Sequence, residues 1–374
     1  MGLAFLKQFK KDMEKMSTVT MDFSAPSFWY STGNLAVNNI IAGSFNKGIP
    51  QGRITCLAGP SGSGKSFLLC NILKHAQEEG AIVFVMDSEH ALDTGYMTKI
   101  GMNLSEDKFI YAGVTMFSDC VQVLSEFIGQ YVKEYGYDNP NAPKVVLALD
   151  SLDMLITDSE NNNFEKGEQK GDQGQRAKQA KHMLRTIVSR IKRLPMAFIL
   201  THQVYPNTDL LNGQGLWIIN NAVRYSASQI LLITNGKLKD GTEVTGIRLR
   251  VEAYKSRFAK LGSKVEVEVP YAAGMNPYSG LLDILEDKGV VKSAGAWKSF
   301  EMPGEDVIKF QTKHVDAELV AKLLSHPLIQ EEEKNVQALM DTENLGGDSD
   351  EDEDAPKPKR SKKAAEPVEQ GEEA

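Results

Sequence analysis

Short apolar runs bounded by turn residues recur between about residues 30 and 270, and between them lie segments whose apolar residues return every three or four positions. The runs at 53–58, 81–87, 145–150, 196–201, 228–234, 245–255 and 263–269 predict strands. The periodic segments near 66–79, 118–134 and 174–193 predict helices. Strands alternating with helices imply an α/β core with a mainly parallel, twisted sheet. Asp240-Gly241 between two late strands marks a hairpin. Upstream, Leu6, Phe9, Met13 and Met16 share one helical face, which either packs on its own core or docks on a neighbouring subunit. Segments 157–173 and 205–222 are long, polar and rich in Asn, Gln and Gly, and predict functional or mobile loops. Residues 277–326 predict a small helical module. Residues 331–374 are charged, contain proline, nearly lack aromatics, and predict disorder. The expected organisation is an N-terminal oligomerisation segment (1–30), a core (31–270), a C-terminal module (271–330) and an acidic tail (331–374).

The strand at 53–58 runs into Gly59-Pro60-Ser61-Gly62-Ser63-Gly64-Lys65-Ser66, which fills every position of the P-loop pattern, with a helix behind it. Glycines let successive backbone N–H groups turn toward phosphate oxygens, and the helix N-terminus adds partial positive charge. Lys65 is spaced to reach the outer phosphates and Ser66 to bind Mg²⁺. Val145-Val146-Leu147-Ala148-Leu149-Asp150 is an apolar strand ending in a carboxylate, the Walker B arrangement, which places Asp150 beside that metal. Glu89 follows the strand at 81–87 and can polarise an attacking water; a solvated charge or a helix-cap partner is the plainer alternative. The strand at 196–201 leads into His202-Gln203, where a polar residue can touch the γ-phosphate and pass its state to the following loop.

The two long loops carry chemistry suited to nucleic acid. The first holds Phe164, Lys166 and Lys170, and the next helix adds Arg176, Lys178, Lys181 and Arg185. The second holds Asn207, Thr208, Gly213, Gln214, Gly215, Trp217, Asn220 and Asn221, then Arg224. Cations neutralise phosphates, amides fix strand position, and Phe164 or Trp217 can stack on bases. Lys255 and Arg257, at alternate positions of a strand end, read as an exposed pair or as cations reaching a neighbour's nucleotide.

The net charge of −8 argues against nucleic acid only until it is localised. From Glu331 onward fifteen acids face six bases, a net of −9, so the first 330 residues carry +1. No run reaches the ~18 apolar residues of a membrane span. The N-terminus lacks both a signal-peptide apolar core and the Ser or Thr at position six that myristoylation uses. Cys56, Cys70 and Cys120 lack CxxC spacing and suit small buried residues of a reducing compartment. A cytoplasmic protein is expected, in the host cytoplasm if phage-encoded.

Together these pieces resemble the RecA recombinase family, and within it most the phage branch of UvsX recombinases, over roughly residues 30–300. Ser31-Thr32-Gly33-Asn34-Leu35 with Gly48-Ile49-Pro50-Gln51-Gly52-Arg53-Ile54 resembles the family's entry into its P-loop strand. Glu89-His90-Ala91-Leu92-Asp93 is similar to the segment holding the catalytic glutamate. By that resemblance Asp93 and Tyr96 contact the adenine, and Lys255 and Arg257 act in trans. Val223-Arg224-Tyr225-Ser226-Ala227-Ser228 resembles the end of the second DNA-binding loop. Gly295-Ala296-Trp297 with Ser299-Phe300 resembles the C-terminal module. Where the family carries an Asn-Gln switch this chain has Thr201-His202; the phage branch carries His, which assigns the switch to His202, with Gln203 as its rival. The first loop, with Asn161-Asn162-Asn163, departs from the family pattern. The resemblance implies an ATP- and Mg²⁺-dependent recombinase that polymerises on single-stranded DNA and pairs it with homologous duplex, alongside single-strand-binding and mediator proteins. A hexameric helicase on the same core fold, and a filament whose hydrolysis only times disassembly, are the competing readings.

Overall fold

The computed structural model describes residues 2–14, 26–168, 170, 174–207 and 217–343. In chain order come α1 (Gly2–Glu14), β1 (Trp29–Tyr30), α2 (Leu35–Ala42), β2 (Ile49–Pro50), β3 (Ile54–Gly59), α3 (Lys65–Glu78), β4 (Ile82–Asp87), α4 (Thr94–Lys99) and β5 (Phe109–Gly113). Next are α5 (Phe117–Tyr135), β6 (Val145–Asp150), a 3₁₀ turn (Leu152–Met154), α6 (Asp158–Glu165), α7 (Gln175–Ile191), β7 (Met196–Gln203), β8 (Tyr205–Pro206), β9 (Trp217–Ile218) and α8 (Asn221–Ser226). The strands β10 (Gln229–Asp240), β11 (Glu243–Ser256) and β12 (Lys264–Pro270) complete the core. Beyond it lie α9 (Leu281–Asp287), β13 (Lys292–Ala294), β14 (Trp297–Phe300), β15 (Ile308–Gln311), α10 (Ala317–Leu324) and α11 (Pro327–Glu343).

The central sheet has eight strands in the order β12-β11-β10-β3-β7-β6-β4-β5. β10, β3, β7, β6, β4 and β5 run parallel, and β11 and β12 return antiparallel. Side chains alternate across the sheet, so each strand feeds two apolar layers. In β3, Leu57 faces the layer of α2, α3 and α4, while Ile54, Cys56 and Ala58 face that of α5, α7 and α8. The helices answer with stripes: Phe117, Cys120, Leu124, Ile128 and Tyr131 of α5, and Ala180, Met183, Leu184, Ile187 and Ile191 of α7, are buried. Each fully buried Ile, Leu or Phe contributes roughly 1.5–3 kcal/mol. The three cysteines are buried and unpaired, and burial pushes the Cys70 and Cys120 thiols up to about 12. Among the described residues no helix is long and apolar enough to cross a membrane.

Four expectations change. The stretch predicted as one long loop contains α6, because Thr157 and Glu160 form a reciprocal capping box: Glu160 N donates to Thr157 Oγ1 (3.1 Å) and Thr157 N to Glu160 Oε2 (2.7 Å). The C-terminal module is not purely helical; β13, β14 and β15 form an antiparallel sheet whose Phe300 and Phe310 join α9 and α10 in a separate small core. Residues 331–343, expected to be disordered, continue α11. That helix is held by buried Ile329, by Phe45 N donating to Glu333 Oε1 at 2.8 Å, and by the pairs Lys288–Glu332 and Lys47–Gln337. Finally, Phe5, Leu6 and Phe9 of α1 are 67 %, 52 % and 48 % exposed, which removes packing on the chain's own core. Met16 of that stripe lies outside the described residues.

Candidate nucleotide site and nucleic-acid face

The register of the parallel strands brings their ends to one edge. Gly59 pairs with Gln203, Ala58 with His202, and Asp87 with both Asp150 and Gly113. The P-loop leaves β3 at this edge. Gly59 admits no side chain, since a Cβ there would lie 2.3 Å from Ile233 O and 2.5 Å from Ser63 Oγ; Gly64 takes φ +93° as the loop enters α3. Lys65 Nζ folds back onto the loop's own carbonyls, Gly59 O at 3.0 Å and Pro60 O at 2.9 Å. Burial lowers its pKa, opposed by Asp150, Glu89 and Asp153. Asn235 of β10 steadies the loop tip by donating to Gly62 O at 2.7 Å.

Two features of the loop fit phosphate. Ser63 Oγ is buried with no hydrogen-bond partner, and the space beside Gly62 is open. Ser66 fits a metal position too. It hydrogen-bonds Asp150, which also accepts from Thr201 Oγ1 at 2.6 Å; burial raises the Asp150 pKa while both hydroxyls lower it. Among the described residues no group of three or more His, Cys, Asp or Glu is placed to hold a metal ion. That is compatible with Mg²⁺, which takes one or two protein ligands and completes its shell with phosphates and water.

Beside it, Asp87 is 1 % exposed and organises the turn after β4. Its Oδ1 accepts from Glu89 N (3.0 Å) and His90 N (2.8 Å), and its Oδ2 from Leu92 N and the Tyr111 hydroxyl (both 3.2 Å). Glu89 is thereby held out at the edge, with Ser151 Oγ donating to its Oε1 at 2.8 Å. It is not a cap partner. Asp93, by contrast, caps α4 by accepting from Tyr96 N (3.1 Å). Tyr96 is buried, its hydroxyl accepting from Asn71 Nδ2 (2.9 Å) and its ring meeting Phe67 edge-on.

At the end of β7, His202 and Gln203 both reach Asp153 of the 3₁₀ turn, and Asn220 N donates to His202 Nε2 at 3.1 Å. The second long loop rises on the two-stranded stem of β8 and β9, where Pro206 pairs with Trp217. Asn207 ends the described part of that stem; Thr208, Gly213, Gln214 and Gly215 lie outside the described residues. Trp217 packs partly against the core, whereas Tyr205, Ile218 and Tyr225 are exposed. Phe164, at 82 % exposure, stands open on α6. Lys181 and Arg224 are exposed. Arg176 is instead paired within the chain, its part-exposed guanidinium donating to Glu160 Oε1 at 2.8 Å and to Asp153 O at 3.4 Å.

Lys255 and Arg257 stand elsewhere. Lys255 pairs with Ile230, which is level with Cys56, and Ser256 pairs with Gln229, level with Thr55. Lys255 therefore sits about 10 Å of strand behind Gly59 at ~3.3 Å per residue, and Arg257 follows it in the same direction, past the end of β11 toward the amino ends of the parallel strands. Burial, then Arg257 and Arg224, lower the Lys255 pKa. The chain's own P-loop opens at the other edge.

Sequence reasoning missed Asp87, Asn235 and Asp153. Asp153 was the findable one, an acid three residues beyond Asp150; Asn235 had no signal, because its partner lies 173 residues away.

A family model described as the RecA N-terminal domain matches residues 4–114. The RecA protein of Syntrophobacter fumaroxidans is 29 % identical over 260 residues, covering 68 % of this chain and 70 % of that protein. RecA 2 of Myxococcus xanthus is 28 % identical over 260 residues, 68 % of this chain and 67 % of its own. RecA of Thioalkalivibrio sulfidiphilus is 28 % identical over 291 residues, 76 % and 77 % of the two chains. The strand order, the P-loop and the aligned carboxylates agree with these likenesses, and the chain carries a RecA-like α/β core.

Proposed function

We propose that this chain is a DNA-dependent ATPase and recombinase that forms filaments on single-stranded DNA, with ATP held between adjacent subunits. The observation carrying this reading is the opposition of the two charged groups: the P-loop opens at one edge of the sheet, and Lys255 and Arg257 leave the other. A subunit stacked head to tail on its neighbour brings one edge against the other, which a closed monomeric site does not need.

In this reading the loop's N–H groups and Lys65 cradle the phosphates. Lys65 exchanges its two loop carbonyls for phosphate oxygens, a stronger charge-assisted pairing. Ser66 and Asp150 hold Mg²⁺, which neutralises charge on the phosphates. Glu89, oriented by Ser151, polarises the attacking water. Asp93 and Tyr96 line the base end of the site. Lys255 and Arg257 of the neighbour stabilise the charge that develops on the transferred phosphoryl group. His202 links the phosphate edge to the second loop. Arg224, Lys181 and the second loop hold the single strand by its phosphates, while exposed aromatics stack on bases. The bound strand then pairs with homologous duplex, in DNA repair and recombination-dependent replication. We assign the chain to the phage-type branch, working in a host cytoplasm with single-strand-binding and mediator proteins.

Electron microscopy of the protein with single-stranded DNA, with and without ATP, tests the assembly, and a strand-exchange assay tests the activity. ATP-dependent filaments and joint-molecule formation are expected. Rings that unwind duplex and form no joint molecules would overturn the reading in favour of a helicase.

A further inference from the structure

We propose that Asp153 is a positioning residue that sets the ring tautomer of His202, and thereby ties the end of β7 to the base of the second loop; this rests on reading His202 as the relay between nucleotide and loop. His202 is 3 % exposed and both its ring nitrogens are engaged. Nε2 lies 3.1 Å from Asn220 N, a backbone group that can only donate. Nε2 must therefore accept, and the ring proton sits on Nδ1. Nδ1 faces the Asp153 carboxylate, at 3.0 Å from Oδ2 and 2.9 Å from Oδ1, and a carboxylate accepts that proton's hydrogen bond.

The position of Asp153 makes this more than a local clamp. It lies in the 3₁₀ turn that follows Asp150, so it moves with the residue assigned to the metal. Its Oδ2 also accepts Gln203 N at 2.6 Å, so one carboxylate holds two successive residues of β7. Its backbone oxygen takes Arg176, whose other nitrogen holds Glu160 of the α6 capping box. On the far side of the imidazole, Asn220 caps α8 by accepting from Ala222 N at 2.8 Å. The end of β7 and the helix after the first long loop therefore meet at one residue, and the imidazole connects it to α8 only in the Nδ1–H form.

An amide at this position reverses the arrangement without changing its size. In Asp153→Asn, the one carbonyl oxygen stays with Gln203 N at the Oδ2 position, and the NH₂ group takes the Oδ1 position, 2.9 Å from Nδ1, where an acceptor stood before. We expect this new donor to turn Nδ1 into an acceptor and move the ring proton to Nε2, where it meets the Asn220 N–H donor to donor. A buried pair of opposed donors costs more than a missing bond.

The test uses the full chain labelled with ¹⁵N-histidine, the His202 signals being assigned by their loss in His202→Asn. Imidazole nitrogen shifts distinguish the two tautomers directly. Nδ1 protonation is expected in the unsubstituted protein and Nε2 protonation in Asp153→Asn, together with a fall of about tenfold or more in DNA-stimulated ATP turnover and retained nucleotide binding. An Nε2-protonated His202 in the unsubstituted protein overturns the proposal without any variant, as does an Nδ1 proton that stays in place in Asp153→Asn. If the tautomer switches while DNA-stimulated turnover is unchanged, the relay reading of His202 falls and Asp153 is reduced to a structural contact.

Discussion

The Lys255 ammonium donates to the carbonyl oxygen of Arg224 at 2.5 Å. The cation proposed to reach a neighbour's nucleotide is thus tied to the short helix α8, whose Arg224 side chain is exposed. One hydrogen bond therefore links the side chain proposed to act in trans to the backbone of the helix proposed to hold DNA. That linkage also gives a sharp test of the intersubunit site. Lys65→Ala alone and the double variant Lys255→Ala/Arg257→Ala should each lose nearly all DNA-stimulated hydrolysis, the first for lack of the phosphate counter-charge. Mixed together, they form interfaces where an intact P-loop meets intact cations, and a fraction of the activity should return. Co-assembly without recovered turnover would refute action in trans.

Glu89→Gln should leave nucleotide affinity close to that of the unsubstituted protein, because Ser151 Oγ can donate equally well to the amide oxygen and keep the side chain in place. Turnover should drop by about 10²–10⁴, since an amide cannot accept the proton of the attacking water. Single-turnover hydrolysis measured beside nucleotide binding separates the two effects. Full turnover would take Glu89 out of the chemistry.

The cations of the DNA face should not behave alike. Neutralising Arg224 or Lys181, both exposed, should lower the salt slope of single-stranded DNA binding by about one unit each. Neutralising Arg176 should change that slope less, because its guanidinium is committed to Glu160 and to the carbonyl of Asp153. Its effect should appear as a weaker first loop and lower thermal stability. A full unit of slope lost with Arg176 would make it a phosphate ligand despite that internal pairing.

The acidic tail should act as an electrostatic brake, its anionic block competing with DNA phosphates for the cations of the core, and the test requires a cut in the right place. Removal of residues 344–374 takes away the anionic block Asp350–Asp354 and leaves α11 intact. This truncation should tighten duplex binding at low salt and reduce its Mg²⁺ requirement, with little change in Tm. Cutting after Gln330 also deletes Glu332, Glu333 and Gln337, which anchor α11 to Lys288, Phe45 and Lys47. At roughly 0.5–1.5 kcal/mol for each of these part-buried or exposed contacts, that form should melt a few degrees lower. Equal duplex affinity for the full chain and the 344–374 deletion would eliminate the brake.

Residues that act through near neighbours were legible in the chain itself. A strand, a glycine-rich turn and a helix in succession define the P-loop, because the backbone turns and the helix end that cradle phosphate are made within a dozen residues. The apolar run ending in Asp150 and the Asp240-Gly241 hairpin are equally local, and both occur as read. The capping box of Thr157 and Glu160 was local too, but the polar composition around it concealed α6. Likewise, averaging 331–343 with the acidic residues after them hid α11, whose anchors lie far upstream at Phe45 and Lys47.

Tertiary structure alone decided which charges are free and which way they face. Arg176 and Arg224 look equivalent in sequence, yet one is paired with an acid 16 residues back and the other is exposed. Lys255 and Arg257 give no sign in sequence of where they lie, and the antiparallel return of β11 puts Lys255 level with Cys56, three residues behind Gly59. Asp153 and His202, 49 residues apart, meet only because β6 and β7 are adjacent in the sheet. Sheet order is set by the burial of two apolar layers, a collective and non-directional force, and the polar contacts at the strand ends follow from it.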